Sequence, residues 1–291
     1  MLSQEQIELR RLGVYGSDAS SLMGKNRYKS KHTLWSEKSG LVSDQVPQNI
    51  KMRLGHLTES LNKSLYEEET GRWVATSDTT LFHPKYPFLG AHLDGMSIAP
   101  NTESEVIGVE FKSVFETQEY LWGDAWSDKI PINYAYQVMH YGLVTGITHW
   151  HVARINMRDG SHCIHEIKFR DIDLGVYCSE ACDFWRMVQE NDPPPVDGSA
   201  STTETVRKMY PRPTAGKTRV FNKTWQGLAS RVTKKKIKLD KAQADLDKVK
   251  NLVRLKMKDV EVVVDTAGKE CITNKANKKG QRTLRFSRTG G

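Results

Sequence analysis

The chain has 291 residues, 38% of them hydrophobic, and its 7 Trp, 10 Tyr and 8 Phe can anchor one sizeable core. No apolar run reaches the roughly 18 residues of a membrane span, and the N-terminal segment carries charges throughout, which disfavours a secretory signal. We therefore expect a cytoplasmic protein with one catalytic-sized domain and an appendage.

The net charge of +8 is unevenly distributed along the chain. Residues 1–199 hold 19 basic and 27 acidic residues, whereas residues 200–291 hold 24 basic and 8 acidic residues. The C-terminal part is therefore the one expected to face a polyanion. Because a basic segment is often only a solvated surface, charge alone does not establish nucleic-acid binding.

Three helices are predicted before residue 72. Ser17 is a candidate N-cap for a short helix that stops at Gly24, and a second helix covers residues 32–38. Pro47 opens a longer helix that ends at Gly71. Leucines recur at helical spacing in this third helix and predict its buried face: Leu54, Leu57, Leu61 and Leu65.

The middle of the chain alternates between strand and helix patterns. Strands are predicted at 73–76, from 88 through 94 onward, at 106–112, 148–156 and 162–169, the last two forming a hairpin around Arg158-Asp159-Gly160. Helices are predicted from Pro131 to Gly146 and over residues 171–190. This order indicates an α/β (α+β) core with a mixed central sheet flanked by helices.

The C-terminal region is predicted to be a separate extension. Residues 199–215 are polar and interrupted by proline, which favours a linker between a domain at 1–198 and an extension at 216–291. Within the extension, residues 225–257 have helical periodicity with interleaved lysines, and residues 260–288 suggest a basic hairpin.

The cysteines give little indication of a metal site. None of the four stands in a Cys-x-x-Cys pair or at zinc-finger spacing, so free buried thiols are favoured over a cluster: Cys163, Cys178, Cys182 and Cys271. Cys178 and Cys182 lie four apart on a predicted helix, which alone is a weak signal for a metal.

An acidic and basic tripeptide, Glu-x-Lys, occurs twice after an Asp-Gly pair. Glu110-Phe-Lys112 follows Asp94, and Glu166-Ile-Lys168 follows Asp159. The pattern is expected about once by chance in a chain of this composition, so a match cannot choose between the two.

Strand geometry does choose between them. Asp94 and Glu110 are each eight residues from Thr102, inside a turn-like segment at 100–104, so they are predicted cross-strand neighbours roughly 5 Å apart. Asp159 lies at a turn tip and Glu166 is seven residues further along a strand, roughly 20 Å away. The second pair therefore cannot share a metal ion.

The first pair predicts phosphodiester chemistry. Glu110 and Lys112 are two apart on a strand and project to one face, so two carboxylates and an ammonium would converge with Asp94. Such a group is costly to bury unless a cation or phosphate joins it, and Mg²⁺, for which Mn²⁺ can substitute, suits these ligands. The alternative is a half-exposed hairpin with an acid pair and a solvated lysine.

Two predicted helices carry further candidates. Gln137 and Tyr141 lie four apart and share a helix face, which is equally typical of an ordinary amphipathic helix. Glu59 falls on the side of its helix away from the leucines, where it could simply pair with Lys63. Separately, neither helix establishes a site.

Five ordered motifs resemble those of the YqaJ/λ-exonuclease family of viral recombinases, within the PD-(D/E)xK nuclease superfamily, over about residues 8–195. The motifs are Arg11-Leu-Gly-Val-Tyr-Gly-Ser-Asp-Ala-Ser20, Gly55-His-Leu-Thr-Glu59, Leu93-Asp-Gly95, Val109-Glu-Phe-Lys112 and Gln137-Val-Met-His-Tyr141. The basic tail is also similar to that of many YqaJ-type members, through weaker motifs. Five ordered motifs are far more specific than any one of them.

The resemblance implies a metal centre. Asp94, Glu110 and the backbone carbonyl of Phe111 would ligate Mg²⁺, and Lys112 would activate the attacking water and touch the scissile phosphate. Glu59 would hold a second metal or its water shell. No covalent intermediate is then required.

The resemblance also implies supporting residues. Gln137, with Tyr141 as its motif partner, would buttress the metal and lysine cluster. Arg11 and Ser17 match positions that grip a terminal 5′-phosphate, although their spacing is one residue shorter than in λ exonuclease. His92 stands where a small hydroxyl residue is common, and either contacts phosphate when protonated or packs as a strand histidine.

The implied function is a Mg²⁺-dependent 5′→3′ exonuclease of phage-type homologous recombination that leaves 3′ single strands on duplex DNA. By analogy, it would form a homo-oligomeric ring, work with a single-strand annealing protein, and be phage- or prophage-encoded in a bacterial host. Two alternatives stay open: a structure-specific or restriction-like endonuclease with the same site, and a non-enzymatic basic DNA-binding or annealing protein.

Overall fold

The computed structural model describes residues 10–43, 49–99, 102–115 and 119–287. Pro47, the predicted turn positions 100 and 101, and Arg288 lie outside these ranges. The chain divides into two compact units, Met1–Pro213 and Thr214–Gly291. None of the described helices is long and apolar enough to cross a membrane.

The helices and strands follow the predicted order closely. The helices are α1 Ala19–Leu22, α2 Lys31–Lys38, α3 Ile50–Thr70, α4 Ile132–Thr145, α5 Asp171–Gln189, α6 Ala200–Met209 and α7 Lys223–Met257. The strands are β1 Val14–Tyr15, β2 Trp73–Ala75, β3 Leu81–Phe82, β4 Leu89–Ala91, β5 Gly95–Ala99, β6 Thr102–Val114, β7 His149–Asn156, β8 His162–Lys168, β9 Val262–Val264, β10 Glu270–Ala276 and β11 Arg282–Phe286.

A five-stranded mixed sheet in the order β2-β5-β6-β7-β8 forms the centre of the first unit. Among the described strands of this sheet, β6 and β7 form the parallel pair, because α4 carries the chain back across the sheet between them. A second sheet has the order β1-β4-β3. This mixed sheet with flanking helices confirms the predicted fold class.

The β5–β6 hairpin has the register that residue counting predicts, but Thr102 belongs to a strand. Gly95 pairs with Val109, so the next position back places Asp94 opposite Glu110. Strand β6 already begins at Thr102, which was predicted to lie at the centre of the turn. A register shift between Ile98 and Ala99 takes up the difference.

Helix α3 buries a different face from the predicted leucine stripe. Leu57 and Leu61 are 74% and 52% exposed, whereas Asn62 and Tyr66 are buried. The Asn62 side-chain amide donates to the carbonyl of Ala153 on β7 at 3.0 Å. Because the sheet offers polar backbone groups here, Asn62 faces them, and the leucine prediction was wrong for Leu57 and Leu61 while Leu54 and Leu65 are half-buried.

The segment predicted as a linker at 199–215 contains helix α6. Ser199 caps it, accepting a hydrogen bond from the backbone N–H of Thr202. The Thr202 hydroxyl also donates to Ser30 Oγ at 2.7 Å, and Thr205 contacts Thr33 at 2.8 Å. The polar residues that suggested a linker instead form a buried hydroxyl network, so the prediction was wrong over α6.

The second unit consists of α7 and a three-stranded antiparallel sheet in the order β11-β10-β9. A hairpin was predicted over residues 260–288, and the additional strand is β9, only three residues long. The predicted apolar positions of α7 are largely exposed, while Met257 at its end is buried.

Candidate active site

One cavity of about 620 Å³ brings together the predicted motifs from β6, α3, α4 and the N-terminal turn. The predicted residues that line it are Ser17, Glu59, His92, Asp94, Glu110, Phe111, Lys112, Gln137 and Tyr141. Separated motifs therefore meet because the sheet and two helices converge there. Arg11 is exposed and is not among the lining residues.

Glu110 is the buried acid of the cavity, with 1% of its surface exposed. Its Oε1 accepts hydrogen bonds from the Lys112 ammonium and, at 2.6 Å, from Gln137. Its Oε2 is buried with no hydrogen-bond partner among the described residues. Burial, then the charge of Asp94, raise the pKa of Glu110 to about 8 although Lys112 opposes them.

Asp94 stands just before β5 and contacts β6 through its carboxylate. The backbone N–H of Phe111 donates to Asp94 Oδ2 at 2.8 Å. Since the N–H and C=O of one strand residue point to the same side, the Phe111 carbonyl is directed toward Asp94 as well. Asp94 and Glu110 are thus close enough to interact beside β6, with the Phe111 N–H bound to the Asp94 carboxylate.

Lys112 links the acidic centre to α4. Its ammonium pairs with Glu110 and lies 5.0 Å from the ring centroid of Tyr134. Burial lowers the pKa of Lys112, but Glu110 and Asp94 outweigh this effect and hold the pKa above its ordinary value. Lys112 therefore presents a full positive charge to the cavity.

Gln137 and Tyr141 are hydrogen-bonded to each other on α4. Besides its bond to Glu110, Gln137 donates to the Tyr141 hydroxyl at 2.9 Å. The Tyr141 ring lies so close to Gly16 that a Cβ there would come within 2.4 Å of it. Gly16 is therefore required for the N-terminal turn to close against α4.

Glu59 approaches the same centre from α3. Burial, then Asp94, raise the pKa of Glu59 above its ordinary value, while His56 lowers it. The His56 ring lies 3.9 Å from the Glu59 carboxylate, whereas Lys63, its predicted alternative partner, pairs with Glu67. Asp94 raises the pKa values of both Glu59 and Glu110, so the three acids belong to one site.

The N-terminal turn corrects two expectations. Ser17 lies within the 3-10 turn Gly16–Asp18 rather than capping a helix, because the helix begins later at Ala19. Arg10, not Arg11, lines the cavity and donates to the Ser17 hydroxyl. Arg10 precedes Ser17 by seven residues, whereas Arg11 precedes it by six. The longer spacing is the one expected from the resemblance to λ exonuclease.

The turn is held in place by a buried ion pair that the sequence did not indicate. Lys38 on α2 contacts the Asp18 carboxylate at 2.7 Å, and both side chains are buried. Burial would raise the pKa of Asp18, but Lys38 and Arg10 together bring it below its ordinary value. Asp18 thus fixes the turn that carries Ser17.

His92 lines the cavity between β4 and Asp94. Its Nδ1 is buried without a hydrogen-bond partner among the described residues. A packed strand histidine would be expected to satisfy that nitrogen. His92 therefore offers one unsatisfied polar atom to a ligand in the cavity.

The residues present fit a divalent cation. Asp94, Glu110 and Glu59 provide oxygen donors, and the buried Oε2 of Glu110 lacks a partner. A cation between these acids would offset both the unsatisfied oxygen and the repulsion that raises the pKa values of Glu59 and Glu110. Hard oxygen ligands of this kind favour Mg²⁺ over thiophilic metals.

Comparisons with known proteins agree on one family and fold. A family model described as YqaJ-like viral recombinase domain matches residues 6–148. The chain is similar to the uncharacterized protein YqaJ of Bacillus subtilis (strain 168), with 26% identity over 263 residues, covering 90% of this chain and 80% of that protein.

Solved structures of an alkaline exonuclease, LHK-Exo from Laribacter hongkongensis, share the fold. One has a TM-score of 0.53 at 20% identity, and its complex with dAMP has 0.53 at 21% identity. Each match covers 65% of this chain and 94% of the other. This chain therefore shares the fold of those two structures.

Proposed function

Because this chain carries a YqaJ-like viral recombinase domain at residues 6–148, we propose that it is a Mg²⁺-dependent exonuclease that degrades duplex DNA from its 5′ ends. The observation that carries this proposal is the buried Glu110 carboxylate, with one unpartnered oxygen, beside Asp94 and Lys112 in an open cavity. The nuclease domain extends through α6, whose threonines pack against α2.

The chain's own residues divide the work between binding and charge stabilisation. Asp94, Glu110 and the carbonyl of Phe111 would hold the cation, and the hydrogen bond from Gln137 fixes the orientation of Glu110. A bound Mg²⁺ supplies Lewis-acid stabilisation of the phosphate and lowers the pKa of water. Lys112 places its ammonium against the negative charge that develops on the scissile phosphate.

Glu59 supports the centre from α3. With 45% of its side chain exposed, it reaches the cavity from the solvent side, where a second cation or an ordered water shell would lie. Burial, then the negative charge of Asp94, raise the pKa of Glu59 above its ordinary value. Glu59 therefore tunes the cation affinity of the centre.

Arg10 and Ser17 provide the basis for starting at a 5′ end. The guanidinium of Arg10 and the hydroxyl of Ser17 meet at the cavity wall, and together they suit a terminal phosphate. Arg10→Ala should reduce the preference for a 5′-phosphate over a 5′-hydroxyl by about tenfold, as the loss of a charge-assisted contact does. Arg11→Ala should change that preference less; the reverse order would restore Arg11 to this role.

The basic extension is assigned to the DNA backbone. Residues 200–291 carry a net charge of +16, and α7 includes three consecutive exposed lysines at 234–236. Replacing these three by Gln in the full chain should weaken DNA binding at moderate salt and reduce its salt slope. An unchanged slope would instead assign the helix to protein contacts.

One assay tests the proposed activity and its direction together. Linear duplex DNA, labelled at either end and carrying a 5′-phosphate or a 5′-hydroxyl, is incubated with Mg²⁺ beside a closed circle. We expect early release of the 5′ label, faster consumption of phosphorylated ends and survival of the circle. Equal cutting of the circle would favour an endonuclease, and no Mg²⁺ binding dependent on Asp94 and Glu110 would favour a non-enzymatic DNA-binding protein.

A further inference from the structure

A second group of metal-ligating side chains lies on the opposite face of the central sheet. His149 and His151 are two apart on β7, and Glu166 on β8 pairs with His151. In the β6–β7 ladder His151 is level with Val109, whereas Glu110 is level with Val152. Because neighbouring residues alternate between faces, the two histidines and Glu166 face away from Glu110.

The donor atoms of this group are already close together. One ligand atom from each of His149, His151 and Glu166 can be chosen so that all lie within 4.8 Å of one another. His149 Nε2 contacts Glu166 Oε1 at 2.8 Å. A tetrahedral metal with ligand bonds of about 2.0–2.2 Å requires donor separations of this order after small side-chain rotations.

Each histidine is also oriented by a second residue through its other ring nitrogen. The Tyr66 hydroxyl meets Nδ1 of His151 at 2.8 Å, which leaves Nε2 directed to the group. Glu105 Oε1 lies 3.4 Å from Nδ1 of His149, which leaves Nε2 for the side of Glu166. A carboxylate or hydroxyl on the remote nitrogen is the usual support for a metal-ligating histidine.

We propose that His149, His151 and Glu166 form a binding site for a divalent transition metal of the zinc class. Two imidazoles and one carboxylate match the ligands of Zn²⁺, whereas Mg²⁺ prefers oxygen donors alone. Three protein ligands leave at least one coordination position for water or an external ligand. The burial of His151 and partial burial of His149 shield the group from bulk solvent.

The position of the site indicates what the metal does. Strand β8 is the edge of the five-stranded sheet, and β7 is its only neighbour within that sheet. A metal held by both strands cross-links the edge to the sheet interior. The Lys168 ammonium lies 2.8 Å from Glu166 Oε1, and the Lys168 side chain is 64% exposed. The metal would therefore replace Lys168 at Glu166, and the Lys168 side chain would move into solvent. Zinc binding therefore stabilises the folded chain.

The test uses the full chain with the Asp94–Glu110 centre disabled by Asp94→Asn and Glu110→Gln. After treatment with a chelator, ZnCl₂ is titrated by calorimetry, and CoCl₂ is added separately to follow the visible absorption of the bound ion. We expect one zinc site, a cobalt spectrum typical of four-coordinate nitrogen and oxygen ligation, and a higher melting temperature with Zn²⁺ than without.

Three variants in that background assign the ligands. Glu166→Gln and His149→Gln, whose side chains are partly exposed, should each weaken zinc binding by more than about tenfold. His151→Gln should abolish the cobalt spectrum. His162→Gln, on the same strand β8 but outside the group, is the matched control and should bind zinc normally.

Either of two results would overturn the proposal. One is the absence of saturable zinc binding in the disabled background, and the other is unchanged zinc affinity in Glu166→Gln and His149→Gln. If His151→Gln fails to fold, the two partly exposed positions still decide the outcome. None of these readouts requires nuclease activity, so the zinc site and the proposed function can fail independently.

Discussion

Two strands of one sheet carry the same Glu-x-Lys tripeptide in different surroundings. On β6, Glu110 is 1% exposed and has a pKa raised to about 8. On β8, Glu166 is 34% exposed, and its hydrogen bond with Lys168 lowers its pKa although burial opposes this. Both glutamates contact the lysine two residues on. The tripeptide therefore does not determine the chemistry.

The difference comes from sheet position and from the partner acid. Strand β6 lies between β5 and β7, so Glu110 is enclosed by the sheet and by α4, whereas β8 is an edge strand. Asp94 adds a second negative charge beside Glu110, while His149 lies beside Glu166. Burial with a like charge favours a hard cation, and an edge position with histidines favours a different metal.

The largest expected effect is on cleavage. Lys112→Ala should reduce the rate of nucleotide release from linear duplex DNA by at least about 10²-fold, because it removes the ammonium group that offsets negative charge on the scissile phosphate. Lys168→Ala is the matched control on β8 and should stay within about twofold of the unaltered chain. Equal losses in both variants would show that the two tripeptides are not functionally distinct.

The second effect is on the pH dependence of stability. The folded-state pKa of Glu110 is raised from an ordinary value of 4.5 to about 8, so the folded chain keeps a proton that the unfolded chain loses. Without metal, the unfolding free energy should fall between about pH 4.5 and 8, with a slope of at most about 1.4 kcal/mol per pH unit.

Glu110→Gln should remove that slope in denaturant unfolding measured at several pH values with a chelator present. Glu166→Gln is the comparison variant and should retain it. A slope that persists in Glu110→Gln would assign the proton to another group.

A smaller effect separates the contribution of Asp94 from that of burial. Asp94→Asn keeps an oxygen for the Phe111 N–H but removes the negative charge, so the pKa of Glu110 should move from about 8 toward its ordinary value. Carboxyl carbon NMR titration of metal-free protein measures this directly. The titration of Glu166 should not change, and an unaltered Glu110 would mean that burial alone sets its pKa.

The smallest effect is expected at the edge strand. The pKa of Glu166 is lowered, so Glu166 contributes stability above its unfolded pKa, which is lost as the pH falls through its folded value. Because this pair is screened by solvent, Glu166→Gln should cost less than about 1 kcal/mol at pH 6 in metal-free protein and less still at pH 3. A cost of Glu166→Gln that grows as the pH falls from 6 to 3 would contradict this prediction.

Much of the fold could be predicted because its signals are local. Gly71 marks the end of α3, and the β7–β8 hairpin follows from alternation around a turn. Pro131 and Gly146 allowed the two ends of α4 to be predicted. Local signals were wrong where tertiary contacts reversed the preference, as for the polar face of α3 and the threonines of α6.

The sequence by itself determined the fold class, the resemblance to the YqaJ/λ-exonuclease family and the pairing of Asp94 with Glu110, since strand period and ordered motifs are written along the chain. Only the tertiary structure decided that Arg10 rather than Arg11 lines the cavity, that Asp18 pairs with Lys38, and that Glu166 meets two histidines. These contacts join residues from separate elements, and their burial and charge depend on how the sheet and helices pack.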